Sequence, residues 1–170
     1  AREALIDALD TGRNQMFVSA SKAQAHQFKN YITAFAQEVD VELRGETIIL
    51  PNAAELHFLG TNSNTAQGRP GNLYLDEYFW IPKFQELRKV ASGMSLHKRW
   101  RTTYFSTPSS LAHSAYPFWS GELFNKGRRS KADHVQLDLS HSHLSKGVLC
   151  GDGQWRQIVT VEDALTGGCN

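Results

Sequence analysis

NLYLDEYFWI, residues 72–81, is followed some thirty residues later by RTTYFSTPSS, residues 101–110, and these two stretches decide how the chain reads. A short apolar run ending in Asp76-Glu77 is the way a P-loop ATPase closes the strand that carries its magnesium-side and water-activating carboxylates. At the carboxyl end of a buried parallel strand, Asp76 is placed to hold a water on Mg2+, and Glu77 to orient the attacking water. Leu73 and Leu75 would anchor that strand in the core. A second apolar strand ending in Ser106-Thr107-Pro108 places a polar switch beside the γ-phosphate, as many nucleic-acid motors do. An isolated Leu-Asp-Glu also serves to open a turn before a helix, where acidic residues suit the helix N-terminus. The order of the two segments and the distance between them point instead to a nucleic-acid translocase.

Outward from this pair, strands alternate with helices. Ala1, Ala4, Leu5, Ala8 and Leu9 follow helical spacing over 1–10, and Thr11-Gly12 supply a stop. MFVSAS (16–21) reads as a buried strand. Ser21 caps a helix whose apolar positions Phe28, Tyr31, Ile32, Phe35 and Val39 share a face. VELRGETIIL (41–50) is a hairpin candidate turning at Gly45, and Pro51-Asn52 break it. ELHFL (55–59) alternates as a strand with Leu56 and Phe58 on one face, and Gly60 to Gly71 has the composition of a functional loop. A helix over about 82–93 precedes the strand 103–106. The pattern predicts an α/β sheet, mostly parallel, with the hairpin as an antiparallel edge. Its carboxyl edge would gather Ser19-Ala20-Ser21, Asp76-Glu77 and Ser106-Thr107, where nucleotide sits in such folds.

Bulk composition narrows the class. A chain of 170 residues with 41% hydrophobic and 21% charged content is an ordinary globular one, holding one domain or one domain and part of another. A net charge of +1 gives no global basic excess, so any nucleic-acid contact must come from a local patch. No apolar run reaches membrane-spanning length. Cys150 and Cys169 have no metal-ligand spacing, and a reduced intracellular protein is the simplest reading. Both ends read as cut: nothing caps the first helix, and TVEDALTGGCN opens a Thr160-capped helical turn and stops.

FVSASKAQAHQFK (17–29), GTNSNTAQGRPGNLYLDEYFWIPKF (60–84), YFSTPSS (104–110), HSAYPFWSGELFNKGR (113–128) and GDGQWRQIVTVEDAL (151–165) together resemble the ATPase (large) subunit of tailed-phage terminases, nearest the temperate contractile-tailed phage branch. The resemblance covers essentially the whole chain. It implies an ASCE-type P-loop NTPase core followed by an RNase H-like nuclease, in a motor that uses ATP and Mg2+ to drive double-stranded DNA into a procapsid. The implied partners are double-stranded DNA, the small terminase subunit, the portal of the procapsid and further copies in a homo-oligomeric ring. The implied location is the cytoplasm of the bacterial host, without a membrane. Carried over to this sequence, Asp76 is the magnesium-side acid, Glu77 the catalytic glutamate, and Ser106, Thr107 and Pro108 the coupling motif. Arg69 is a candidate for the arginine that senses phosphate; it reads equally as a solvated loop residue beside Pro70.

Such an ATPase needs G-x-x-x-x-G-K-S/T, whose backbone N–H groups cradle phosphates while the lysine meets the β- and γ-oxygens. No such string occurs in these residues, and GRRSKAD (127–133) lacks the second glycine. The helix at 1–10 stands where the helix after a P-loop belongs. The expectation is therefore an N-terminally truncated core, with the P-loop just upstream and the nuclease beyond residue 170. Such a fragment would be inactive alone. Residues 1–120 would form the incomplete ATPase core, and 121–170 its C-terminal part or a linker toward the nuclease.

Lys126, Arg128, Arg129 and Lys131 form a dense basic segment suited to phosphate contact, or simply an exposed linker. Lys22, His26 and Lys29 read as a solvated helix face. His134, His141, His143 and Cys150 do not have zinc spacing. Tyr78, Phe79 and Trp80 read as plugs of the core beneath the nucleotide edge, and Trp155 as packing. Two rival functions stand beside the packaging motor: a helicase-type DNA-dependent ATPase, and a non-catalytic assembly or DNA-binding module with a vestigial acidic pair.

Overall fold

The computed structural model describes residues 1–61, 70–94 and 99–168. Arg69 and Cys169 lie outside the described residues, as does most of the 60–71 loop. Two compact units divide the chain, Ala1–Ala115 and Tyr116–Asn170.

The first unit is built on a five-stranded sheet. Its strands are β1 (Gln15–Ser19), β2 (Ile48–Ile49), β3 (Glu55–Gly60), β4 (Asn72–Asp76) and β5 (Thr102–Phe105), in the order β2-β3-β1-β4-β5. β1 runs parallel to β3 and β4, and β4 parallel to β5; only β2, at the edge, is antiparallel. Every residue of β1 is buried, as a central strand covered on both faces requires. Phe17 enters one face with Leu56, Phe58 and Tyr74, together with Ala4, Leu5 and Ala8 of α1 (Arg2–Thr11) and Ala25 and Ile32 of α2 (Lys22–Gln37). Met16 and Val18 enter the other face with Leu73 and Leu75, where Leu87 of α3 (Phe84–Met94) packs. The mostly parallel α/β sheet flanked by helices is the architecture expected.

Cross-strand pairing sets the first face. Phe58, Phe17 and Tyr74 are register partners on three adjacent strands, and their rings stack at 5.3 and 5.0 Å. Phe28 of α2 stacks on Phe17 at 4.9 Å, so one aromatic row docks the helix on the sheet.

Local signals hold where they are chemically specific. Gly12 ends α1 in the left-handed conformation and donates to the Ala8 carbonyl. Ser21 and Gln24 close a capping box at the start of α2. Two expectations fail. The hairpin does not turn at Gly45: residues 41–47 form no strand, and Arg44 instead grips Glu42 through two hydrogen bonds of 2.8 and 2.7 Å. The turn lies at 50–54, between β2 and β3, where Leu50 N–H donates to the Ala54 carbonyl at 2.9 Å. Asn52 fixes it there by donating to the Ala8 and Leu9 carbonyls that end α1. Tyr31 and Val39 do not face the core either, at 57% and 68% exposed. Ala25, Phe28, Ile32 and Phe35 fill the stripe, Tyr31 lies at its margin, and Val39 falls past the helix end.

At the amino edge of the sheet a polar network ties α1 to β1 and β4. Asp7 accepts from Gln15 and Asn72 at 2.8 and 2.7 Å, and Asn72 accepts from the Arg101 backbone N–H at 2.9 Å. Gln15 and Asn72 are fully buried, and this network satisfies them.

In the second unit, short helices α4 (Tyr116–Trp119), α5 (Glu122–Lys126), α6 (His141–Leu144) and α7 (Val161–Thr166) accompany a two-stranded antiparallel sheet, β6 (Val148–Leu149) and β7 (Trp155–Arg156). α7 starts on the Thr160 capping box with Asp163. Arg156, only 3% exposed, is met by both oxygens of Asp152 and by the Trp119 carbonyl. Trp155 does not pack inward as expected. It is 61% exposed, because it pairs with Leu149 on the outer face of this small sheet and lies over Gly147.

Candidate active site at the carboxyl edge of the sheet

β1, β4 and β5 run parallel, so their ends meet at one edge. Ser19 closes β1 and Asp76 closes β4, and Ser19 Oγ donates to Asp76 Oδ2 at 3.0 Å. Ser19 is fully buried. Burial is the largest influence on Asp76 and raises its carboxyl above the ordinary range; the Ser19 hydroxyl opposes this, while the charge of Glu77 adds to it.

Glu77 leaves the strand in the left-handed region, at φ 50°. A non-glycine residue held there costs about 1 kcal/mol or more, so the surroundings must hold it. They do so by turning the chain at once into a 3₁₀ turn, Tyr78–Trp80, closed by Trp80 N–H on the Glu77 carbonyl at 2.8 Å. Only Tyr78 plugs the core, at 4% exposed, tilted against Phe84 and edge-on to Tyr104. Trp80 corrects the expectation for the aromatic trio: it is 56% exposed, and its Nε1 donates to Thr107 Oγ1 at 2.9 Å.

Register sets Asp76 beside Phe105, so Glu77 faces the residues that leave β5. Glu77 Oε2 accepts from Ser106 Oγ, Thr107 N–H and Thr107 Oγ1, each at 2.9 Å. Ser106 Oγ accepts in turn from the Phe79 N–H at 3.2 Å. Pro108 follows, and a residue before proline is biased toward extended backbone. The two strand ends singled out by the sequence are thus joined directly, the carboxylate of one held by the hydroxyls of the other.

Sequence reading placed Ser19 at this edge but not on Asp76, and it missed Trp80 as a donor. The alignment of β1 with β4, Val18 opposite Leu75, is the information that puts Ser19 on Asp76, and it emerges only with the sheet. Lys126, Arg128, Arg129 and Lys131 all lie exposed in the second unit. Asn125 bonds both backbone groups of Val135 at 2.9 Å, closing the segment between them into a loop that presents these cations.

Residues 1–170 match the family described as "Terminase large subunit, T4likevirus-type, N-terminal". The chain belongs to this terminase family. It is 66% identical over 170 residues to the "Terminase, ATPase subunit" of Escherichia phage P2, covering 99% of this chain and 29% of that protein. It is 54% identical over 169 residues to the "Probable terminase, ATPase subunit" of Haemophilus phage HP1 (strain HP1c1), covering 99% of this chain and 28% of that one. This terminase chain thus spans under a third of the length of these curated relatives. In fold it is similar to the large terminase of a thermophilic bacteriophage, with a TM-score of 0.57 at 12% identity over 72% of this chain and 33% of that one. That likeness extends the α/β assignment to a solved terminase. Among the described residues, no helix is long and apolar enough to cross a membrane.

Proposed function

We propose that this terminase segment carries the hydrolytic and coupling half of an ATP site, and that the complete protein uses it to drive double-stranded DNA into a procapsid. The observation that carries this reading is the meeting of Asp76-Glu77 at the end of β4 with Ser106-Thr107 at the end of β5. The names of the P2 and HP1 relatives, both ATPase subunits, support it.

Asp76, with the Ser19 hydroxyl behind it, offers the oxygen donors that a hard cation takes. Mg2+ is commonly held by one or two carboxylates, waters and substrate phosphates, so one carboxylate here fits that ion. Bound there, Mg2+ would supply charge to offset the phosphates of ATP. Glu77, fixed through Oε2, keeps Oε1 to orient a water and take its proton as that water attacks the γ-phosphorus and the bond from phosphorus to the β–γ bridging oxygen breaks, with ADP leaving. Ser106, Thr107 and Pro108 then form the coupling motif, because any shift of this loop changes how Glu77 is held. The phosphate-cradling loop, and Arg69 as a phosphate sensor, complete the site in this reading. The isolated 170-residue chain, which contains no G-x-x-x-x-G-K-S/T, is expected to hydrolyse ATP poorly or not at all.

The basic loop of Lys126, Arg128, Arg129 and Lys131 is proposed to meet DNA phosphates. The small terminase subunit, the procapsid portal and further copies in a ring are the proposed partners, in the host cytoplasm. Glu77→Gln in the complete protein tests the hydrolytic role. Loss of DNA-stimulated ATP hydrolysis by about a hundredfold or more, with an unchanged melting temperature, is expected. Undiminished hydrolysis would sink the role of Glu77, whereas unchanged packaging by a variant that no longer hydrolyses ATP would favour a non-catalytic assembly module.

A further inference from the structure

Trp80 is more than half exposed, so burial of its ring does not account for its placement. What it does offer is one N–H, and an indole nitrogen can only donate. That N–H goes to Thr107 Oγ1 at 2.9 Å. The Thr107 hydroxyl, already accepting from Trp80, has a single proton, and its partner is Glu77 Oε2 at 2.9 Å. The backbone closes the circuit, since Trp80 N–H also bonds the Glu77 carbonyl at 2.8 Å. Indole, hydroxyl and carboxylate therefore form one ring with a fixed direction of donation.

Ser106 provides the contrast. Its hydroxyl accepts from Phe79 N–H, but its one proton has two acceptors, Glu77 Oε2 at 2.9 Å and the Thr107 carbonyl at 2.8 Å. The Ser106 proton is shared, whereas the Thr107 proton is committed to Glu77, and Trp80 helps commit it.

We propose that Trp80 is a positioning residue for the hydrolytic step, orienting Glu77 through the Thr107 hydroxyl. This rests on the reading of Glu77 as the residue that activates water. The indole does not touch the reacting atoms. It sets which way Thr107 donates, and so how firmly Oε2 is held while Oε1 faces the water. The effect belongs to the turnover step and leaves ATP binding alone.

The test is steady-state ATP hydrolysis by the complete terminase large subunit in a thermodynamic cycle. Trp80→Phe keeps an aromatic ring and removes the donor; Thr107→Val removes the hydroxyl and keeps the backbone N–H; Thr107→Ser restores a hydroxyl. In the parent and in Thr107→Ser, Trp80→Phe is expected to lower kcat about fivefold, the worth of one neutral hydrogen bond, with KM for ATP within about twofold. In Thr107→Val, Trp80→Phe is expected to cost nothing further. A Trp80→Phe enzyme with parental kcat overturns the proposal. So does a cost that is equal with and without the Thr107 hydroxyl, or one that appears in KM, as a loss of folding or general packing would give. Glu77→Gln, run alongside, separates the two levels: if it still turns over, the hydrolytic reading itself has failed, whereas an inactive Glu77→Gln beside an unaffected Trp80→Phe removes only the role of Trp80.

Discussion

Ser19 Oγ stands 3.0 Å from Asp76 Oδ2 and donates to it from a position with no exposed surface. A hydrogen bond to a charged group is worth more than a neutral one, and here it orients the carboxylate proposed to face Mg2+. Ser19→Ala in the complete protein is therefore expected to raise the Mg2+ concentration for half-maximal ATP hydrolysis by about tenfold, the equivalent of one such bond. A magnesium titration that superimposes on the parent would show that Ser19 does not serve the metal.

Asp76 also makes stability depend on pH. Burial first, and the charge of Glu77 in addition, raise its carboxyl above the ordinary range against the pull of Ser19. A raised native pKa means that the folded chain holds this proton more tightly than the unfolded chain does. Ionised Asp76 thus costs stability at neutral pH, and the cost disappears as pH falls through the raised value toward the ordinary one. Asp76→Asn should melt above the parent at pH 7 without divalent cations, with the gap closing in acid. Equal gaps at both pH values would contradict the assignment.

Arg156 and Asp152 behave in the opposite sense. Burial opposes ionisation of Asp152, yet its hydrogen bonds with Arg156 and the Gln154 backbone outweigh that and hold it below the usual carboxylate range. Its contribution is present above the ordinary Asp pKa and is lost as pH falls through the lowered one. Asp152→Ala leaves a buried guanidinium without its partner, so the second unit should lose about 3–5 kcal/mol. Replacing both residues with leucine should cost much less. Denaturant unfolding of the single and double variants measures the difference, and equal losses would mean that the pair is not acting as a pair.

Gly71 is needed for space. A Cβ there would sit 2.5 Å from the Asn14 carbonyl oxygen and 2.9 Å from Asn14 Cβ. Asn14 is itself committed, accepting from Asn72 N–H through its backbone and from Glu55 N–H through its side chain. Gly71→Ala should cost about 2 kcal/mol, because backbone, rather than a flexible side chain, has to move. An unchanged denaturation midpoint would refute this.

The parts of this fold legible in the sequence were those set by local chemistry. Ser21, Thr11-Gly12 and Thr160 each specify a helix end by a hydrogen bond within a few residues. Leu73 and Leu75 specify a buried strand by composition, and they are fully buried. Failures occurred where a distant partner decided the outcome. Gly45 carries a genuine turn signal, at φ 96°, but Asn52 reaching the end of α1 determines where the hairpin turns. Trp80 looked like core because aromatics usually are, and only the arrival of Thr107 from another strand gives its N–H a reason to stay outside. The site was legible as two strand ends; the bonds joining them were not.

β5 is secured at both ends. Leu73 N–H and Asn72 Oδ1 hold Arg101 at its start, and Glu77 holds Ser106 and Thr107 just beyond its finish. Past Phe105, the short span is held to Glu77 by these bonds. Bonds of 2.9 Å are gone once their atoms separate by little more than half an ångström, so the throw of this catch is smaller than an atom. In the proposed motor, a stroke of any size at the DNA would begin with a displacement of that scale, and the contact at Glu77 would be its trigger, with the leverage left to whatever the span is joined to.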